Sequence, residues 1–303
     1  MKNKVVIIGC GNVGMAYAYA LLNQRTFVNE MALIDLDMKR VEGEVMDLQH
    51  GLAFAPSKMD IKCGDYSDCR DADIIMIAAG ANQGPGETRM DLTDKNAAIF
   101  KTIVEKAMAN GFKGIFLIAT NPVDVMTYMT YKYSGLPTNQ VIGSGTTLDT
   151  ARLRHIIGSR LDINPKDVSA YVMGEHGDSS FVTYSSANIG GEKISDFISE
   201  SDYSSICHMV RGAAYEIIER KGATYYGIGN SLVSITNAIL GDENTILTIS
   251  VYDDKNDVYV GLPAIINRSG VKQKIYVNLN EKETGQLQTS INIIREAIES
   301  VKE

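Results

Sequence analysis

Tryptophan is missing from the 303 residues, and cysteine and proline are scarce, at four and six. The cysteines, Cys10, Cys63, Cys69 and Cys207, form no C-x-x-C pair and are too sparse for a disulfide scaffold, so neither a stapled secreted fold nor a cysteine-based zinc site is supported, and no metal is expected. A reducing cytoplasm is the expected compartment. No stretch reaches the roughly 18 uninterrupted apolar residues of a membrane span. Positive charge is in deficit, with Lys+Arg 29 against Asp+Glu 37 and a net charge of −8, and no block of like charge occurs. That balance excludes a protein that tracks nucleic-acid phosphates or binds an anionic membrane, while small anions remain possible because local cations decide those. The chain also lacks a Pro/Ser-rich linker, an internal repeat and a low-complexity tract. With 45% hydrophobic and 22% charged residues it reads as a soluble globular chain, long enough for two domains.

The N-terminus has one misleading feature, since Ile7-Ile8-Gly9-Cys10 resembles a lipoprotein cleavage box. Only Val5 to Ile8 would form the apolar region before the cysteine, shorter than the roughly 7 to 15 residues that export requires. Export is therefore not expected.

What is present is a regular alternation. Nearly continuous apolar runs at Val5–Ile8, Met31–Leu36, Ile74–Ala79, Gly114–Ala119 and Val141–Ile142 are separated by segments long enough for crossover helices, such as Thr93–Asn110. Runs of that kind suit strands buried on both faces, and the alternation implies an α/β fold with a Rossmann-type doubly wound parallel sheet. The second half changes character: Ala170–Met173, Phe181–Ala187, Thr245–Val251 and Val258–Ile266 read as mixed or antiparallel strands, with helices near Tyr203–Arg220, Tyr225–Leu240 and Thr284–Val301. The expected division is a dinucleotide-binding domain over residues 1–144 and an α+β substrate domain over 145–303.

Gly9-x-Gly11-x-x-Gly14 follows the first run and opens the helical segment Met15–Asn23. In that context the first glycine permits a tight turn, the second lets a pyrophosphate approach the backbone, and the third allows close strand-helix packing at a helix N-terminus that attracts anions. A glycine-rich turn with no ligand is the plain alternative. The second run leads to Asp35, 21 positions after Gly14 (35 − 14), about where an acidic side chain accepts hydrogen bonds from the adenosine ribose. Its charge would repel a 2′-phosphate, so NAD is the expected cofactor. Asn12 and Val13 inside the turn, and Gly80 and Ala81 after the third run, complete the expected cofactor contacts.

Five segments then carry a family resemblance. GANQGPGETR (80–89), ATNPVD (119–124), VIGSGTTLDTAR (141–152), GEHGDS (174–179) and KGATYYG (221–227) resemble, in order and over nearly the whole chain, the successive signatures of the L-lactate dehydrogenases in the lactate/malate dehydrogenase superfamily. The resemblance implies that His176 exchanges a proton with the substrate oxygen, a task suited to an imidazole titrating near neutrality. It implies that Asp149 orients the imidazole and favours its protonated form, that Arg152 pairs with the substrate carboxylate, and that Arg89 polarises the carbonyl from a Gly84-Pro85-Gly86 loop resembling a hinged lid. Asn121 is assigned to the nicotinamide or substrate neighbourhood, and Thr224 to the pocket wall. His50, His155 and His208 lack matching surroundings and read as structural or solvent-facing.

Substrate choice rests on Gln83, where the resemblance places arginine in malate enzymes and glutamine in lactate enzymes. The implied substrate is a small 2-oxo or 2-hydroxy monocarboxylate, pyruvate and L-lactate first. A broader L-2-hydroxyacid dehydrogenase, a malate dehydrogenase and a catalytically silent NAD sensor are the competing readings. The segment departs from common patterns at Gly84, where lysine is frequent, and between Gly191 and Tyr203, which is short. Many bacterial relatives are homotetramers activated by fructose 1,6-bisphosphate, held by an arginine and a histidine. The matching positions here are Arg154, which keeps the cation, and Ser169, which does not supply the imidazole.

Overall fold

Successive residues of the first strand, β1 (Lys4–Ile8), are all buried but feed opposite faces of the sheet: Val5 and Ile7 join one apolar core, Val6 and Ile8 another. This two-sided burial explains why the run is continuous rather than alternating. The computed structural model describes residues 2–81 and 89–302, the side chains of 89–91 excepted. Gln83 and the Arg89 side chain therefore lie outside the described residues.

The chain continues through α1 (Asn12–Asn23), β2 (Glu30–Ile34), α2 (Met38–Gly51), β3 (Asp60–Cys63), β4 (Ile74–Ile77), α3 (Arg89–Ala109), β5 (Ile115–Ile118), α4 (Val123–Ser134) and β6 (Val141–Gly143). Strands β1 to β6 pair in parallel with their neighbours. α5 (Thr147–Leu161) follows, then the short strands β7 (Val168–Ser169), β8 (Val172–Met173), β9 (Phe181–Val182), β10 (Asn188–Ile189) and β11 (Glu192–Lys193). The long helices α6 (Glu200–Lys221) and α7 (Tyr226–Leu240) precede an antiparallel meander, β12 (Thr245–Asp253), β13 (Val258–Asn267) and β14 (Gly270–Lys274), and α8 (Glu281–Glu299) ends the fold.

The parallel sheet does not stop at residue 144. Among the described residues nine strands form one sheet in the order β14-β13-β12-β6-β5-β4-β1-β2-β3, because β12 pairs antiparallel with β6. One core packs α1, α2 and α7 on one face; the other packs α3 and α4 on the opposite face. The α1–α7 contact includes the fully buried Tyr17, whose hydroxyl is paired with Thr236 Oγ1 at 2.6 Å. A third cluster gathers Leu153 and Ile157 of α5 with Val168, Val172, Ile206 and Val210, and steadies the helix that carries the site.

Two expectations needed correction. The run Phe181–Ala187 is a strand only over Phe181–Val182, because the Ser185 N–H turns away to the buried Glu283 carboxylate at 2.9 Å. Of the Ala170–Met173 run only Val172 and Met173 are in a strand, β8, while β7 ends before it at Ser169. Strand β3 and helices α2 and α4 extend the alternation beyond the segments recognised in sequence.

Candidate active site

The glycine-rich turn is built as its spacing implies. Gly9 has a left-handed φ of +102°, and a Cβ there would collide with the backbone of Ala78 and Ala79; a Cβ on Gly14 would collide with the Gly9 carbonyl. Around Gly11 a Cβ would meet nothing within 4 Å, so the space beside the start of α1 is open. That opening, the unused N–H groups of the first helical turn and Asp35 just past β2 suit a dinucleotide. Asp35 Oδ2 accepts the Cys10 N–H at 2.6 Å. Asp37, by contrast, caps α2 by accepting the Arg40 N–H at 3.1 Å.

Beyond β4 and β5, a residue not singled out in sequence joins the expected ones. Asn96 of α3, buried to 1% exposure, accepts the Ala81 N–H at 2.8 Å and donates Nδ2 to the Asn121 carbonyl at 2.9 Å. Gly80 lies against it, since a Cβ there would come within 3.2 Å of Asn96 Oδ1. One amide thus ties together the strand ends that carry Gly80, Ala81 and Asn121. Nothing in local spacing marks it, because both partners lie in other segments.

Asp149, Arg152 and His176 are brought together from α5 and the loop after β8. Asp149 Oδ2 lies 2.7 Å from His176 Nδ1, and Asp149 Oδ1 accepts from Arg152 Nη1 at 2.9 Å, so one carboxylate bridges imidazole and guanidinium. Burial works against a charge on His176, but the Asp149 carboxylate outweighs it and holds the imidazole above its ordinary pKa. Burial likewise pushes the Asp149 carboxyl up, yet the His176 and Arg152 cations hold it below the usual carboxylate range. Threonines fix α5 in place: Thr146 Oγ1 donates to the Val172 carbonyl at 2.6 Å, Thr147 Oγ1 to the Thr248 carbonyl at 2.8 Å, and Thr150 Oγ1 accepts the Val172 N–H at 2.9 Å.

The main chain of His176 has its own anchor. Asp124, 2% exposed, accepts the His176 N–H on Oδ2 at 2.8 Å and the Ser250 hydroxyl on Oδ1 at 2.5 Å. Burial pushes its carboxyl up to about 6 against the lowering effect of those two donors. Asp124→Asn keeps one acceptor but turns a donor towards one of the two partners, and is expected to lower stability by about 1–3 kcal/mol. Urea unfolding of parent and variant measures it; equal stabilities would mean the two hydrogen bonds contribute nothing net.

Thr224 lies half-buried in the turn between α6 and α7, and Asn121 is exposed in the turn before α4. Arg154 is no free surface charge: it is half-buried, donates Nε to the Ala170 carbonyl at 3.2 Å and lies over the Tyr171 ring at 5.6 Å. Ser169, which precedes Ala170, lies on β7, paired across to Asn188. His50, His155 and His208 are exposed.

The first half of the chain, residues 3–143, matches the family model described as lactate/malate dehydrogenase, NAD binding domain. Residues 146–303 match the lactate/malate dehydrogenase alpha/beta C-terminal domain. The chain belongs to the lactate/malate dehydrogenase family. NAD is the cofactor of this family's first domain, and the open space at Gly11 agrees with it. Within the family the chain is 51% identical over 306 residues to L-lactate dehydrogenase 1 of Peribacillus psychrosaccharolyticus, covering 98% of this chain and 96% of that one. It is 50% identical over 306 residues to L-lactate dehydrogenase of Bacillus pumilus, covering 98% and 97%. A solved lactate dehydrogenase from a Medee basin deep-sea metagenome library superposes with a TM-score of 0.97 at 52% identity, over 99% of both chains. The minor L-lactate dehydrogenase of Enterococcus mundtii gives 0.97 in its ligands-bound form, at 40% identity over 99% of both chains. Its ligands-unbound form gives 0.92, at 39% identity over 100% of this chain and 98% of that one.

Proposed function

We propose that the chain interconverts L-lactate and pyruvate, using NAD, and that His176, Asp149 and Arg152 perform the part of the reaction that belongs to the protein. The observation that carries this reading is the carboxylate of Asp149 held between an imidazole and a guanidinium beyond the sheet's carboxyl edge. When bound, NAD accepts or supplies the hydride. In the direction of pyruvate reduction, protonated His176 gives its proton to the carbonyl oxygen, so no alkoxide is left. Asp149 supports that protonated state, and Arg152 offers its remaining N–H donors to the substrate carboxylate as a fork. Gly9, Gly11, Asn12, Val13, Gly14, Asp35, Gly80, Ala81 and Asn121 hold the cofactor, and Arg89 polarises the substrate carbonyl. Gln83, Asn121 and Thr224 border the substrate. An assay of NADH oxidation with pyruvate tests the reading, and its absence would remove it.

Gln83→Arg is expected to move preference from pyruvate towards oxaloacetate, because a guanidinium can pair with the second carboxylate. A charge-assisted hydrogen bond contributes about 1.5–3 kcal/mol, so the ratio of kcat/KM values should shift by roughly ten- to a hundredfold. An unchanged ratio would free Gln83 of that role.

The cofactor part of the reading is assigned to residues 1–144 and the substrate part to 145–303, with a reducing cytoplasm as the setting, supported by the four free thiols. Among the described residues no helix is long and apolar enough to cross a membrane. A homotetramer is supported by large apolar side chains left in solvent, such as Met46 on α2 at 57% exposure and Phe54 after it at 91%. Arg154, with its Nε on the Ala170 carbonyl and a serine at 169 where the resemblance expects an imidazole, is a poor phosphate partner. Pyruvate saturation curves should therefore shift little or not at all with fructose 1,6-bisphosphate, and a large leftward shift would contradict this.

A further inference from the structure

Asp35 has more to hold than a ribose. Its Oδ2 accepts the Cys10 N–H at 2.6 Å, and its Oδ1 accepts the N–H groups of Leu36 at 2.7 Å and Asp37 at 3.2 Å. A carboxylate offers about four lone-pair sites, so three are taken by the chain itself and one is left for a hydroxyl. Cys10 is fully buried, and its N–H has no solvent to turn to if the carboxylate is removed. The next residue, Gly11, is the N-cap of α1 and flanks the open space suited to a pyrophosphate.

We infer that Asp35 is a positioning residue, a carboxylate clasp that fixes the glycine-rich turn against the β2–α2 turn before any cofactor binds. The inference rests on the reading of this turn as the cofactor site. The clasp extends the ordinary view of such a residue, in which it only selects NAD through the ribose. Serine is too short to bridge Cys10 and Leu36 together. Asparagine has one oxygen and one amide nitrogen, so it holds either the Cys10 N–H or the Leu36 and Asp37 pair, and presents a donor to the other. Removing the charge lifts the repulsion of a 2′-phosphate, but it also loosens the pyrophosphate site that NAD and NADP share. Asp35 substitution therefore weakens dinucleotide binding generally, in addition to relaxing the discrimination against a 2′-phosphate.

The test has two arms. In the first, NADH and its 2′-deoxyadenosine analogue are titrated against the parent, Asp35→Asn and Asp35→Ser by fluorescence. The clasp predicts that both variants weaken both ligands at least tenfold and by similar factors. A role confined to the ribose predicts a mild Asp35→Asn, which still offers a donor and an acceptor to a hydroxyl, and an analogue indifferent to the substitution; that pattern overturns the inference.

The second arm needs no cofactor. Burial pushes the Cys10 thiol up to about 12, so in the ligand-free parent it should resist N-ethylmaleimide, as should the fully buried Cys69. In Asp35→Asn and Asp35→Ser, peptide mass mapping should show Cys10 labelled at least tenfold faster with Cys69 unchanged. A Cys10 rate that stays at the parental value, or rises only in step with Cys69, overturns the clasp. If the parent fails to bind NADH at all, the cofactor reading falls, and the labelling still decides whether Asp35 holds the turn.

Discussion

His176→Asn is expected to bind NADH with parental affinity and to turn over pyruvate about a hundred- to ten-thousandfold more slowly, the range that a positioned proton donor contributes. The substitution leaves the turn at Gly9 to Gly14 untouched and retains a side chain able to hydrogen-bond Asp149, so cofactor binding has no reason to change. What is lost is a group that can give up a proton near neutral pH. Fluorescence titration with NADH, paired with steady-state turnover, separates the two effects. Parental turnover in the variant would show that the proton comes from elsewhere.

Asp149→Asn should be nearly as damaging at neutral pH, and its pH profile reveals why. In the parent the Asp149 carboxylate overcomes the burial that disfavours charge on His176, and the imidazole titrates above its ordinary value of 6.5. Pyruvate reduction needs the protonated form, so kcat/KM should be level below that raised pKa and fall about tenfold per pH unit above it. Without the Asp149 carboxylate, burial and the Arg152 charge push the His176 pKa down, and only the weaker attraction of the Asp124 carboxylate opposes them. The descending limb should then move to lower pH, with turnover recovering as the solution is acidified. A profile unmoved by the substitution would mean that Asp149 acts only as packing. Linkage gives an independent sign. A histidine whose pKa is raised on folding stabilises the native state fully below its unfolded value, and that contribution is lost as pH rises through the folded value. The stability gap between parent and Asp149→Asn should accordingly narrow as pH is raised through that window.

Much of this arrangement is legible in the sequence because its physics is local. Gly9, Gly11 and Gly14 announce a turn that only glycine permits at two of the three positions, and the continuous apolar runs announce strands buried on both faces. Asp149 and Arg152 share one face of α5 because they are three residues apart, and GEHGDS supplies the histidine that meets them. What escaped notice depends on distant partners. Asp124 matters through Ser250, 126 positions away, and Asn96 through Ala81 and Asn121, 15 and 25 positions away. Strand β3 buries only Ile61 among its four residues, so no apolar run marks it, and α2 shows its core face only as Val41, Val45 and Leu48 at helical spacing. The joining of β12 to β6 also left no local trace, since pairing between residues 143 and 250 is decided by the fold as a whole.

Steady-state NADH oxidation with pyruvate, oxaloacetate and 2-oxoisocaproate, supplied in turn to the same preparation, decides between a lactate dehydrogenase and its competitors. The predicted result is a kcat/KM highest for pyruvate, with oxaloacetate disfavoured because Gln83 gives its second carboxylate no cation to pair with. A higher value for oxaloacetate or 2-oxoisocaproate, or no oxidation with any of the three, would contradict it.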